Sequence, residues 1–293
     1  MTNRLFSFAG MRFFLVLFFS AALMAEAAPK EEDVLRIGIA PFNTPVALLK
    51  THQPLLDYLE LALNRPVMLF TSANHGEFLR DSLNGRFDVV ITPPHMGAIL
   101  LQRDFVPLVR YRNVMDFIFV VRANQGFATV SALRGKKIAF PDRMAMFTVA
   151  GIKFLEDMGM KRDVDYIYSE HPTHAAAMTA VLMGMADAAV TGYPPLNQMP
   201  VDVREKLKVL PWGKSLPHMM TLAMKQLSPH EIQRLKRAFE RFPDTPGGRK
   251  FFSESGYEGY TQISEEDLKT IQPYMLLTLE ILEKEERERV KTP

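Results

Sequence analysis

A two-lobed α/β fold is predicted from three features of the 293-residue sequence. The stretch from His75 to Thr92 and the stretch from His174 to Thr191 carry His, Leu, Gly, Asp and Thr at matching offsets: His75, Leu83, Gly85, Asp88 and Thr92 against His174, Leu182, Gly184, Asp187 and Thr191. Each reads as a helix, a glycine stop, and a buried strand opened by Asp and closed by Thr. A period near one hundred residues is too long for a solenoid and implies two like lobes. The second feature is a restart, because Gly135-Lys-Lys-Ile-Ala-Phe140-Pro141 repeats the character of Arg36-Ile-Gly-Ile-Ala40-Pro41. The third is strand and helix alternation in both halves, whose product is a mostly parallel sheet covered on both faces.

The elements follow in order. Leu35 to Ala40 is an apolar strand ended by Pro41, and Ala47 to Leu63 has helical spacing. Pro66 to Phe70 is a second strand, and the first copy of the repeat supplies a helix and the strand Asp88 to Thr92. Pro93-Pro94 then opens another helix, where proline suits the first turn. Met115 to Arg122, rich in β-branched and aromatic residues, is a strand leading into the second lobe. There the pattern restarts with the strand to Phe140, a helix over Thr148 to Met158, the strand Asp165 to Tyr168, and the second copy of the repeat. Lys208 to Gly213 and Met219 to Met224 read as the return, followed by helices over Pro229 to Phe242, Gly247 to Ser255 and Glu265 to Val290. Strands that cross on both sides of an inserted lobe make a two-strand hinge. The expected division is residues 1–28 as a signal segment, 29–115 as the first part of lobe one, 116–213 as lobe two, and 214–293 as the return to lobe one with the C-terminal helices.

Composition narrows the function classes. Residues 1–28 have Arg4 and Arg12 in a basic start, an apolar run from Phe13 to Leu23, and Ala25-Glu26-Ala27 as a cleavage site, the layout of a secretory signal. That run is short of the ~20 apolar residues needed to span a bilayer. The chain has no cysteine, which excludes disulfides, thiolate metal sites and a lipoprotein anchor, so the expected product is a periplasmic protein released by cleavage. A formal charge of +2 predicts no nucleic-acid binding. Catalysis has no support: a Gly-x-Ser-x-Gly elbow, a phosphate loop and a His-Glu-x-x-His helix are all missing, and no cofactor is expected.

Taken together, Arg36-Ile-Gly-Ile-Ala-Pro41, Pro54-Leu-Leu-Asp-Tyr-Leu59, the Asp88 strand, Leu133-Arg-Gly-Lys-Lys-Ile-Ala-Phe140, His174 with Ala180-Val181, Gly184-Met-Ala-Asp187, and Val209-Leu-Pro-Trp212 with Ser215 and Pro217 resemble one family. It is the periplasmic phosphate/phosphonate-binding proteins, the substrate-binding components of ABC importers. The resemblance runs from Leu35 to about Lys225. It implies the type II periplasmic binding protein fold, a small ligand, an oxyanion of the phosphate/phosphonate class, captured between the lobes, and an inner-membrane ABC permease as partner. A sensory role toward a membrane receptor kinase is the alternative, and a periplasmic copper-handling role a third. The family places a ligand-contacting Tyr where this chain has His75, a second aromatic contact where it has Thr92, and an anion-binding histidine at His174. Its Ser-Thr-Ser-Gly anion loop is replaced here by Arg143-Met-Ala-Met-Phe-Thr148, in which Thr148 and Arg143 are the polar candidates. Carboxylates that pair a ligand amine are replaced by Pro194 and Met219.

The expected ligand-binding residues are therefore His75, Thr92 and His95 from lobe one, and Thr148, His174 and Tyr193 from lobe two. His75, His95 and His174 stand at predicted helix starts, where free amide groups favour an anion. Thr92 ends a strand at the crevice, and Tyr193 offers an aromatic wall. Thr191 is read as a strand end. Thioether and imidazole groups suit copper, with Met144, Met146, His171, His174, Met178, His218, Met219 and Met220 as possible ligands. Methionine at helical spacing is more often core, and no dedicated metal site is expected.

Overall fold

The computed structural model describes residues 34–291; the expected signal segment, residues 1–28, lies outside the described residues. Lobe one begins with β1 (Leu35–Ile39), α1 (Pro45–Leu63), β2 (Val67–Phe70), α2 (His75–Leu83), β3 (Val89–Thr92), α3 (Pro94–Leu101) and β4 (Phe105–Tyr111). Lobe two contains β5 (Val114–Arg122), β6 (Lys137–Phe140), α4 (Met146–Asp157), β7 (Ile167–Glu170), α5 (His174–Leu182), β8 (Ala188–Gly192), α6 (Tyr193–Asn197), α7 (Val201–Arg204) and β9 (Leu207–Pro217). The chain then returns through β10 (Met220–Met224), α8 (Pro229–Arg241), α9 (Pro246–Ser255), β11 (Tyr260–Thr261) and α10 (Glu265–Lys291).

Two sheets result, one in each lobe. The first has the order β11-β4-β10-β3-β1-β2, the second β7-β6-β8-β5-β9. In both, a parallel trio formed by strand-helix-strand crossovers is extended by antiparallel strands: β1 pairs with β2 and β3, and β6 with β7 and β8, in parallel, while β10 runs against β3 and β5 against β8. The inner strands β1, β3, β6 and β8 are largely buried, with Ile37, Val89, Val90, Ala139 and Val190 each at 0% exposure, which is why they read as apolar runs, while the edge strands β2 and β7 keep exposed residues such as Met68 and Ile167. The chain crosses between the sheets twice, through Arg112 and Asn113 and through His218 and Met219.

The repeat in the sequence is a repeat in space. Helices α2 and α5 are each capped by the preceding side chain, Asn74 accepting from the Glu77 amide at 2.9 Å and Thr173 from the Ala176 amide at 3.1 Å. Gly85 and Gly184 both turn the chain with φ of 74°, a left-handed conformation open to glycine. Asp88 then accepts the Arg36 amide at 2.8 Å, and Asp187 the Lys137 amide at 2.9 Å, each tying the start of the third strand to the start of the first. Helix α10 packs on α3 in lobe one and on α4 and β9 in lobe two, so it bears on both lobes.

Candidate functional site

The crevice lies at the C-terminal ends of the parallel strands, where open α/β sheets bind ligands. The sheet topology directs the starts of α2 and α3 toward it from lobe one, and those of α4, α5 and α6 from lobe two. Asn74 caps the Glu77 amide, and the His75 amide is left to point outward, where it meets Asp142 of lobe two at 3.4 Å. At α3, Pro94 contributes no N–H and fixes the turn that inserts His95 into the crevice wall.

All three predicted histidines are at this junction. His75 is 5% exposed, with Nδ1 3.5 Å from Asp142 Oδ1. His95 is fully buried, and its Nε2 donates across the crevice to the Met144 carbonyl at 3.0 Å. That bond leaves Nδ1 of His95 as a buried nitrogen without a partner. Burial pushes His95 down to about 3, and the nearby His75 ring adds to that effect. His174 is partly exposed at the start of α5, with Nδ1 3.1 Å from Thr191 Oγ1 and its ring edge-on to Phe147. Burial, then the His75 ring, also lowers its proton affinity. Thr191, read from the sequence as a strand end, therefore also orients His174.

The remaining predicted residues divide. Thr92 is fully buried at the end of β3, with its hydroxyl 3.5 Å from the Pro93 carbonyl. Thr148 is fully buried too, but its hydroxyl donates to the Pro141 carbonyl at 3.0 Å and serves the loop rather than the crevice. Arg143 points outward, bonding Glu170 at 3.0 Å and lying 3.8 Å from Glu285 of α10. Tyr193, 41% exposed, lines a recess of about 380 Å3 that Phe147, the ring neighbour of His174, also lines. Arg112, Asp116, Phe147, His218 and Glu258 also line that recess, giving it an aromatic floor and both signs of charge.

The loop from Arg143 to Thr148 is largely apolar and buried. Met144 and Met146 are buried at 0% and 2%, and Phe147 lies over Gly192, where a Cβ would meet its Cε1 at 2.4 Å. The same loop brings Asp142, a residue that sequence reasoning missed. Its only local signal is its position just past Pro141 at the end of β6. Burial pushes its carboxyl up, but the His75 ring and the Met144 and His75 amides outweigh that and hold it down at about 2. Outside the crevice, Glu285 lies 3.4 Å from Arg80 of α2 and so connects lobe one to Arg143 of lobe two. The methionines considered for copper, Met144, Met146, Met178, Met219 and Met220, are buried in the apolar core, and among the described residues no three His, Cys, Asp or Glu side chains gather as metal ligands.

Comparison with known proteins gives a consistent result. Residues 37–268 match the family model described as ABC transporter, phosphonate, periplasmic substrate-binding protein. XAC2383 from Xanthomonas citri, bound to chloride ion, superposes with a TM-score of 0.74 at 15% identity, over 86% of this chain and 99% of that one. PhnD1 from Prochlorococcus marinus in complex with methylphosphonate has a TM-score of 0.74 at 13% identity, covering 83% and 97%. A binding protein component of an ABC phosphonate transporter from Pseudomonas aeruginosa has a TM-score of 0.67 at 10% identity, covering 88% and 98%.

Proposed function

The chain belongs to the periplasmic phosphonate-binding family of ABC transporter substrate-binding proteins, and from that premise we propose that it captures a phosphate- or phosphonate-like oxyanion at the histidine-lined junction of its two lobes. It is a periplasmic solute-binding protein, not an enzyme, and delivers a small ligand to an inner-membrane permease. No helix among the described residues is long and apolar enough to cross a membrane. We read residues 1–28 as a cleaved signal, and residues 29–115 with 214–293 and 116–213 as the two lobes that close on the ligand.

One observation carries the ligand class: the starts of α2 and α3 in one lobe and of α4 and α5 in the other converge with His75, His95 and His174. Helix N-termini carry partial positive charge and free amides, so an anion between the lobes gains from both at once. Closure then shifts toward the bound form by as much as the anion prefers it. Thr92 supports the wall of that junction, and Tyr193 borders the recess that would take an organic substituent. The receptor-kinase and copper readings have no comparable observation behind them.

A thermal-shift screen with phosphate, phosphite, methylphosphonate, sulfonates and carboxylates tests this reading. A ligand present at 100 times its Kd should stabilise the protein by about 2.7 kcal/mol. His174→Ala should reduce that response by at least half without preventing folding. If no oxyanion raises the melting temperature, or His174→Ala keeps the full shift, the proposed site is wrong.

A further inference from the structure

Oxyanion capture leaves one group in the crevice without a role, the Asp142 carboxylate. Asp142 belongs to lobe two, yet its Oδ2 accepts the His75 amide of lobe one at 3.4 Å, and its Oδ1 lies 3.5 Å from the His75 ring. Oδ1 also accepts the Met144 amide at 2.8 Å, a local turn that aims the carboxylate across the crevice. A helix N-terminus receives a free anion in this way, except that this anion is attached to the chain. Beside it stands His95, fully buried, with Nε2 bonded to the Met144 carbonyl and Nδ1 unpartnered. The whole arrangement joins the two lobes through the chain's own negative group.

The geometry points to Asp142 as the specificity-determining residue of the crevice: its carboxylate holds the anion position, and a ligand anion binds by displacing it. This inference rests on the oxyanion reading above. Two negative groups cannot share the His75 amide and ring without strong repulsion, so the ligand and Asp142 exclude each other. A tethered carboxylate also has a high effective concentration at its own site. A free monocarboxylate offers the same chemistry without the tether and does not displace it. A phosphoryl dianion brings a second charge and a third oxygen, enough to engage donors from both lobes. The crevice thus sorts anions by charge.

Isothermal titration of wild type, Asp142→Ala and Asp142→Asn with methylphosphonate, inorganic phosphate and acetate tests this, with melting curves run alongside. Both variants should bind methylphosphonate and phosphate at least tenfold tighter than wild type. Acetate should raise the melting temperature of Asp142→Ala by filling the vacated position, and leave wild type unmoved. Where wild type binds a dianion, equal or weaker binding of it by the variants overturns the inference, as does an acetate response shared by wild type. If Asp142→Ala does not fold, Asp142→Asn, which keeps the shape and removes the charge, gives the same decision. Selective acetate rescue with no dianion binding by any protein upholds the tethered carboxylate and removes the oxyanion reading. Dianion binding by wild type without tightening or rescue in the variants does the reverse.

Discussion

His52, His95 and His218 are histidines held neutral by the fold. Burial lowers His52 to about 4, and His95 and His218 to about 3. His52 is fully buried in α1 with Nδ1 donating to the Leu48 carbonyl at 2.8 Å, while Nδ1 of His218 accepts the Met219 amide at 2.8 Å. Each folded value lies below the unfolded histidine value of about 6.5, so between the two the unfolded chain takes a proton that the folded chain refuses. Their contribution to stability is therefore complete above pH 6.5 and is lost as pH falls toward 3–4, at about 1.4 kcal/mol per pH unit for each ring. Urea unfolding across pH 7.5 to 4.5 should show a steep, continuous loss of stability below pH 6.5, and a flat profile there would contradict the buried, neutral assignment. Histidines at helix starts could be read from the sequence, because helix boundaries are set by local capping residues such as Asn74 and Thr173. Asp142 could not, because its partner His75 is 67 positions away in the other lobe and no local pattern encodes that contact.

At the scale of elements, each parallel trio depends on one aspartate. Asp88 and Asp187 accept the amides that open their neighbouring first strands, and Asp88 also pairs with the Arg36 side chain at 2.7 Å. Replacing either by Ala leaves a strand amide unsatisfied at a sheet end, which should cost about 1–3 kcal/mol in chemical denaturation. Asp88→Ala should cost at least as much as Asp187→Ala because it also removes the Arg36 ion pair, and the two costs should add in the double variant because they lie in different sheets. The inner strands β1, β3, β6 and β8 are legible because burial on both faces makes them almost wholly apolar. Strand β4 was not, since Pro107 and Arg110 interrupt its pattern. The structure accommodates Pro107 at a register shift between Thr221 and Leu222 of β10, where a missing N–H is tolerated. Strand β11, two residues long, is too short to leave any periodic trace.

Across the whole molecule, α10 acts as a brace that the periodicity of its own sequence did not reveal. The sequence marks a helix over Glu265 to Val290 without indicating what it touches, and Glu285, 19% exposed, lies between Arg80 of lobe one and Arg143 of lobe two. Opening the lobes must separate at least one of these pairs. Glu285→Gln should therefore enlarge the radius of gyration in X-ray scattering and weaken ligand affinity by up to about fivefold, the limit set by ~1 kcal/mol for a solvent-accessible ion pair. Salt of 0.5 M should reproduce part of that effect in wild type and none of it in the variant. The two crossings between the sheets have a different consequence. Where lobe two begins and ends, Val114 pairs with Pro217, so its entry and exit lie side by side on adjacent strands. Topologically, lobe two is a cassette with both ends at one doorway. Such a cassette can be lengthened, exchanged or circularly permuted at that doorway while β4 and β10 stay paired below it, so the half of the crevice that carries Asp142 can vary independently of the half that carries His75.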